Sequence, residues 1–336
     1  MTVRHLEYAN IISIFTLNTL VMKMSKFFIN YNDEESCKMF FKQKKEEAGV
    51  ECACCGSLCH YWIEKETRWR CKGCGKGISL KTGTVMENSN LGYKVWLWAL
   101  YLMSLTKKGF SALEMQRLLG HSRYESVWLM MQKIRICMGH RDDQYQLDEY
   151  IEMDEGFFEG HRKKDDGSSL ATKPVKELDR QVKAIVAVST TPIKNKEGHA
   201  KGKPESKPKY LKMNVVTGLN KIEVTREAEM MVKKSATIMT DGRRCYSGLK
   251  NICTTHEVVI VADKKQVAKV FPWVHTAISN AKKKLLGLHH HVKDAYMQNY
   301  LSEFCYKFNR RHFGEHLFDR LVISALDRPW YQPYSK

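Results

Sequence analysis

Two Cys-x-x-Cys knuckles constrain this chain more than anything else in it. Cys52 and Cys55 form the first, Cys71 and Cys74 the second, and each is followed by a glycine. Four thiolates spaced this way suit tetrahedral zinc, and Gly56 and Gly75 permit the tight turn that each knuckle needs. The segment between them offers Tyr61-Trp62-Ile63 and Arg68-Trp69-Arg70 as two strands of a hairpin. A module this small has little core, so zinc is expected to supply much of its folding free energy. The chain has eleven cysteines, an odd number. Paired knuckles argue for metal and a reducing compartment, not a disulfide framework. Cys54, Cys59 and His60 are local spares, and Cys54 could compete with Cys55.

The sign of the charge bounds the partner. Among 336 residues, 55 Lys+Arg stand against 37 Asp+Glu, a formal net charge of +18. Such an excess favours nucleic acid or an anionic surface. Ile11 to Met22 leans apolar but is too short for a membrane span and is broken by Thr16, Asn18 and Thr19. Lys23 and Lys26 follow it without a small-residue cleavage site, which makes it a poor signal peptide. Met22 or Met24 could be the true start.

The expected organisation has four parts. Residues 1–48 are an N-terminal extension and a helix over 31–49, capped by Asn32 or Asp33, with Cys37, Phe40 and Phe41 on one face and Lys42 to Glu47 in solvent. Residues 49–88 are the zinc ribbon. Residues 89–145 are helical: a dense apolar helix through Val95 to Leu102, a short helix with Leu113, Met115, Leu118 and Leu119, a stop at Gly120, and a helix over 122–138. With Arg117, Arg123, Lys133 and Arg135 this resembles a DNA-contacting helix-turn-helix, with an ordinary helical subdomain as the alternative.

Residues 146–325 change to strands. Ile151 to Phe158 alternates apolar and acidic residues as a short strand, and Gly156 and Gly160 are expected to turn the chain. A buried strand follows at 181–189, another at 210–216, a helix at 223–234, a strand at 236–242 and a fifth at 256–261. Residues 161–179 and 190–208 are polar or basic loops, and 273–287 and 293–310 are basic helices. This is the order of an α/β, RNase-H-like domain. In such a sheet the first and fourth strands are neighbours, so Asp154 on the first and Asp241 at the end of the fourth come together. Paired acids at strand ends in a basic protein suit phosphoryl transfer on DNA. Two Mg2+ or Mn2+ ions roughly 4 Å apart, clamped by carboxylates, activate a nucleophile and neutralise phosphate charge. Asp154 would bridge both ions and Asp241 would bind one.

The same stretches carry a family resemblance. Ser79-Leu80-Lys81-Thr82-Gly83-Thr84-Val85 after the ribbon, Lys108-Gly109-Phe110-Ser111-Ala112, Met153-Asp154-Glu155 and Thr240-Asp241-Gly242 resemble DDE transposases of the bacterial ISXO-type insertion sequences, relatives of the eukaryotic Merlin transposons. Val274-His275-Thr276, Ser279-Asn280-Ala281-Lys282, Tyr300-Leu301-Ser302-Glu303-Phe304 and Phe308-Asn309-Arg310-Arg311 extend it, so that it covers about residues 30–320. The resemblance implies cleavage at terminal inverted repeats and joining of the freed 3′-hydroxyl to target DNA, by a homodimer or higher synaptic oligomer. It places the protein in the cytoplasm with the nucleoid in a bacterium, or in the nucleus for a eukaryotic element, and at no membrane.

One position departs from the family pattern, which has a helical Glu and a Lys or Arg seven residues later, on the same helix face. No Glu occurs between 257 and 302. Alignment on Val274-His275-Thr276 puts Asn280 at the acid position, and alignment on Lys282 puts His275 there. Asn280 is preferred here, because its amide oxygen is a hard ligand and the resembled subgroup often uses Asn. Lys282 is expected at the scissile phosphate or the terminal bases, with Lys283 and Lys284 following the DNA backbone and His289 to His291 in an exposed turn. Glu303 is read as a packing residue paired with Arg310 or Arg311, and Glu155 as facing away from Asp154. The competing functions are a DNA-binding regulator, a nuclease or junction resolvase of the same fold, and an inactivated or domesticated transposase.

Overall fold

The computed structural model describes residues 24–160, 181–193, 204–260, 270–289 and 292–331. The expected loop at 161–179, residues 194–203 of the expected loop at 190–208, the apolar stretch at 11–22, and His290 and His291 lie outside them. Residues 190–192 and 206–208 of that second loop are strand, because the flanking strands run further than their apolar cores suggest. The chain divides into two compact units, Met1–Leu105 with Phe313–Asp327, and Thr106–His312 with Arg328–Lys336.

In the first unit, α1 (Met24–Asn30) leads into α2 (Glu34–Ala48). Asp33 caps α2 through a 2.7 Å bond from the Ser36 N–H. Glu34 caps a second helix, α3 (Tyr93–Leu105), by accepting from the N–H groups of Tyr93 and Lys94. α3 is apolar on most sides because it is the centre of the unit, with Trp96, Leu97, Ala99 and Leu100 fully buried. Phe27 stacks on Tyr101 with centroids 3.6 Å apart, and Phe318 closes this cluster edge-on. The ribbon is a three-stranded antiparallel sheet, β1 (His60–Ile63), β2 (Arg68–Cys71) and β3 (Gly77–Ser79), one strand more than the hairpin expected. Lys45 corrects the expectation of a solvated face over Lys42 to Glu47. It is buried, and its ammonium donates to the carbonyls of Ser79, Leu80 and Thr82.

The second unit begins with α4 (Ala112–Leu119), capped by Ser111 and ended by Gly120 at φ 62°. It then enters α5 (Tyr124–Asp143). The expected helical region 89–145 is therefore shared out, with α3 in the first unit and α4 and α5 in the second. Half of the helix-turn-helix basic set is also internal. Lys133 and Arg135 are 3% and 1% exposed, because α5 packs along a helix described below and is not a free surface helix.

Five strands follow: β4 (Tyr150–Glu159), β5 (Gln181–Pro192), β6 (Ser206–Val216), β7 (Thr237–Thr240) and β8 (Thr255–Val258). Their order is β6-β5-β4-β7-β8, with β4-β5-β6 antiparallel and β7 and β8 parallel to β4. β4 does not turn at Gly156. It runs through to Glu159, and the glycine is needed because a Cβ there would come within 2.8 Å of the Phe158 ring. Strand alternation sends Ile151 and Met153 to one face, under α6 (Lys221–Met231) and a 3-10 helix at Arg244–Asn251. It sends Phe158 and the matching residues of β5 and β6 to the other, under α7 (Pro272–His289) and α8 (Met297–Asn309). A last helix, α9 (Leu317–Asp327), belongs to the first unit.

α5, α7 and α8 meet at a buried ion cluster. Glu303 on α8 is paired with Arg135 at 2.8 Å, Lys307 at 2.7 Å and Lys284 at 3.3 Å. It does not pair with Arg310, which binds Asp142 instead. The three cations hold the Glu303 carboxyl well below its ordinary range despite complete burial. Lys284 is accordingly an internal residue and not a backbone-tracking one. Burial brings its ammonium down to about 8, against the pull of Glu303. His289 also faces inward, edge-on to Tyr300 with centroids 4.6 Å apart, and burial pushes its imidazole down to about 4.

Candidate active site

β4 and β7 run parallel in the register Ile151 to Ile238 and Glu152 to Met239. Two residues further on, Asp154 and Asp241 fall level with each other, at the end of β7 where the chain leaves the sheet. Ligand oxygens of Asp154, Glu155 and Asp241 all lie within 4.8 Å of one another. Asp154 faces α7, where the His275 Nδ1 is 3.5 Å from its Oδ2. Glu155 belongs to the opposite face, as strand alternation requires. There it accepts a 2.6 Å bond from the Tyr246 hydroxyl and pairs with Arg243. Arg243 also reaches Asp241, with Nε at 3.3 Å, and its backbone N–H donates to the same carboxylate.

These carboxylates are crowded, and Glu155 and Asp154 are largely withdrawn from solvent while Asp241 is half-buried. Burial raises the Asp154 carboxyl above the ordinary range, opposed by His275 and Arg243. Burial also raises Asp241, with the Arg243 N–H pulling down and the neighbouring Asp154 pushing up. A further carboxylate, Glu152, is on the Asp154 face, and burial brings it to about 7 against two backbone N–H groups of α7. Hard oxygen donors whose charge is only partly offset fit a divalent cation. Asp154 and Asp241 are the residues that would hold it, with Glu155 close enough to join if it released Arg243.

Residues 146–309 match the family model described as the ISXO2-like transposase domain. This part of the chain is an ISXO2-like transposase domain. It contains the whole five-stranded sheet with α6, α7 and α8. No curated protein matches the chain. A solved structure described as a pre-cleavage Mos1 transpososome is similar over 66% of this chain and 75% of that one, at 8% identity and a TM-score of 0.19. A likeness that slight carries no argument here.

Within the transposase domain, α7 separates the two candidates for the third position. Its buried stripe is Val274, Ala277, Ile278 and Ala281. At 100° per residue, His275 and Lys282 flank that stripe on one side and Asn280 flanks it on the other, with Trp273 and Lys284. The His275 flank is the one that meets Asp154. The other is turned away, as Trp273 donates to Ser206 on edge strand β6 and Lys284 to Glu303. Asn280 and Lys282 are both exposed. Glu152, Arg243 and Tyr246 were not singled out from sequence. The even-numbered alternation Glu152, Asp154 was the available signal for the first, and nothing local marked the other two.

Away from the transposase domain, the four knuckle cysteines cluster as their spacing predicts. Cys52 and Cys74 sulfurs are 3.6 Å apart and those of Cys55 and Cys71 3.5 Å. Tetrahedral zinc with bonds of about 2.3 Å places its sulfurs roughly 3.8 Å apart, so the cage fits the ion. Gly56 and Gly75 sit at φ 69° and 72°, each donating back to the first cysteine of its knuckle. Cys54 and Cys59 are exposed and outside the cluster.

Proposed function

We propose that the chain is a metal-dependent DNA transposase with an RNase-H-like catalytic domain, acting on terminal inverted repeats. The observation that carries the reading is the level pairing of Asp154 and Asp241 on adjacent parallel strands, inside the family-matched domain. The strand order, with the first three strands antiparallel and the next two parallel to the first, supports the fold assignment. Mg2+ or Mn2+ bound between Asp154 and Asp241 would supply charge neutralisation at the phosphate and a more acidic nucleophile. The protein's own part is to hold the two carboxylates in fixed positions and place His275 against Asp154.

His275 is our choice for the third position, in place of Asn280, because of the flank it occupies. Lys282 shares that flank two turns later, exposed, where it can meet a phosphate. Cys52, Cys55, Cys71 and Cys74 would hold a structural zinc. The partners are double-stranded DNA, both inverted repeat and target, and at least one further copy of the chain.

The test is cleavage and joining of duplex DNA ending in the inverted repeat that flanks the gene, with Mg2+ or Mn2+. Asp154→Ala and Asp241→Ala should bind that DNA and fail to cut it. A regulator would keep its full activity in both variants, and a nuclease would cut without joining.

A further inference from the structure

Glu152 is 5% exposed, yet it takes no place among the carboxylates gathered around Asp241. It lies on the Asp154 face of β4, about 7 Å back along the strand. Its Oε2 accepts from the backbone N–H of Trp273 at 2.8 Å and of Val274 at 3.0 Å. The first N–H groups of a helix have no acceptor within the helix, and Pro272 has no N–H to offer. A carboxylate from the strand therefore caps α7, at the end where the helix dipole favours negative charge. The next residue along is His275, whose Nδ1 is 3.5 Å from Asp154.

Apolar contact alone does not set the height or rotation of a helix on a sheet, because it is non-directional. Phe271, Val274 and Ala277 pack on this end of α7 in that way. Two charge-assisted hydrogen bonds converging on one oxygen are directional and short. They tie the start of the helix to the strand that carries Asp154.

We propose that Glu152 is a positioning residue: by capping α7 it fixes the rotation and height of that helix, and so holds His275 against Asp154. The proposal rests on the reading of Asp154, Asp241 and His275 as the reacting centre. The cap needs an acceptor of this reach, which the charge strengthens but does not create, so Glu152→Gln should serve where Glu152→Ala and the shorter Glu152→Asp do not.

Hydrogen exchange on the full-length, zinc-loaded chain reads the capping directly, whether or not the protein cuts DNA. Exchange of residues 273–276 should quicken by at least about tenfold in Glu152→Ala and Glu152→Asp, and stay near wild type in Glu152→Gln. Exchange across β4 and β5 should hold in all three. Cleavage of inverted-repeat DNA should fall in the Ala and Asp variants and return in Gln. In a His275→Ala background, Glu152→Ala should cost nothing further. Unchanged exchange at 273–276 would overturn the proposal, and so would full additivity of the two substitutions. A wild-type chain that cleaves no DNA would instead overturn the transposase reading, leaving the exchange result to decide whether Glu152 fixes the helix.

Discussion

At the scale of single residues, burial decides what each charge does. Asp154 and Asp241 were legible in sequence because acids at strand ends have few structural reasons to be there. The basic residues were not legible in the same way. Arg135 looks like a groove-facing side chain until Glu303, 168 positions later, is found beside it. Lys284 has the same partner from another helix, and Lys45 finds its acceptors about 35 residues away. Nothing near any of them in sequence announces these contacts. Removing the one anion of the cluster should therefore be costly. Glu303→Leu leaves three buried cations facing one another, and chemical denaturation should show a loss of about 3–5 kcal/mol. His289 gives a pH signature. Its folded value of about 4 lies below the unfolded value near 6.5, so the unfolded chain binds the extra proton between them. Stability should thus fall as pH drops from 6.5 towards 4, and His289→Gln should flatten that part of the stability profile, measured by urea midpoints across the range.

At the scale of elements, the knuckles, the capped helices and the strand order could all be read from local pattern. Short pieces whose partners come from elsewhere could not. β3 has three residues and exists because β2 offers it an edge, and β4 continues past Gly156 because β5 pairs with it as far as Glu159. The turn before α4 shows the same dependence. Gly109 sits at φ 86°, and a Cβ there would lie 2.7 Å from the Glu303 Oε1. Gly109→Ala should destabilise the second unit by about 1–2 kcal/mol or more, from the left-handed backbone and the clash together. A Glu303→Gln background should not relieve it. For the ribbon, elemental analysis and native mass spectrometry should find one zinc per chain. Cys55→Ser or Cys71→Ser should lose it and melt β1 to β3, while Cys54→Ser and Cys59→Ser should keep it.

At the scale of the whole molecule, a strongly basic chain gathers the acids Asp154, Glu155 and Asp241 into a small cluster. Among the described residues no helix is long and apolar enough to cross a membrane. The sequence brought Asp154 to Asp241 correctly because strand order fixes sheet neighbours. It favoured Asn280 over His275 on ligand chemistry and the family resemblance, whereas the choice depends on which flank of α7 meets β4, a matter of packing. Our proposal takes His275, whose Nδ1 lies 3.5 Å from Asp154, so His275→Ala should reduce cleavage far more than Asn280→Ala, at equal DNA binding. The most direct measurement is cleavage of inverted-repeat DNA by the wild-type chain and Asp241→Ala across a Mg2+ or Mn2+ titration, with DNA binding followed in parallel. The account predicts metal-dependent cutting by wild type, and none by a variant that still binds the DNA. Equal cutting by both, or cutting without added metal in the presence of a chelator, would contradict it.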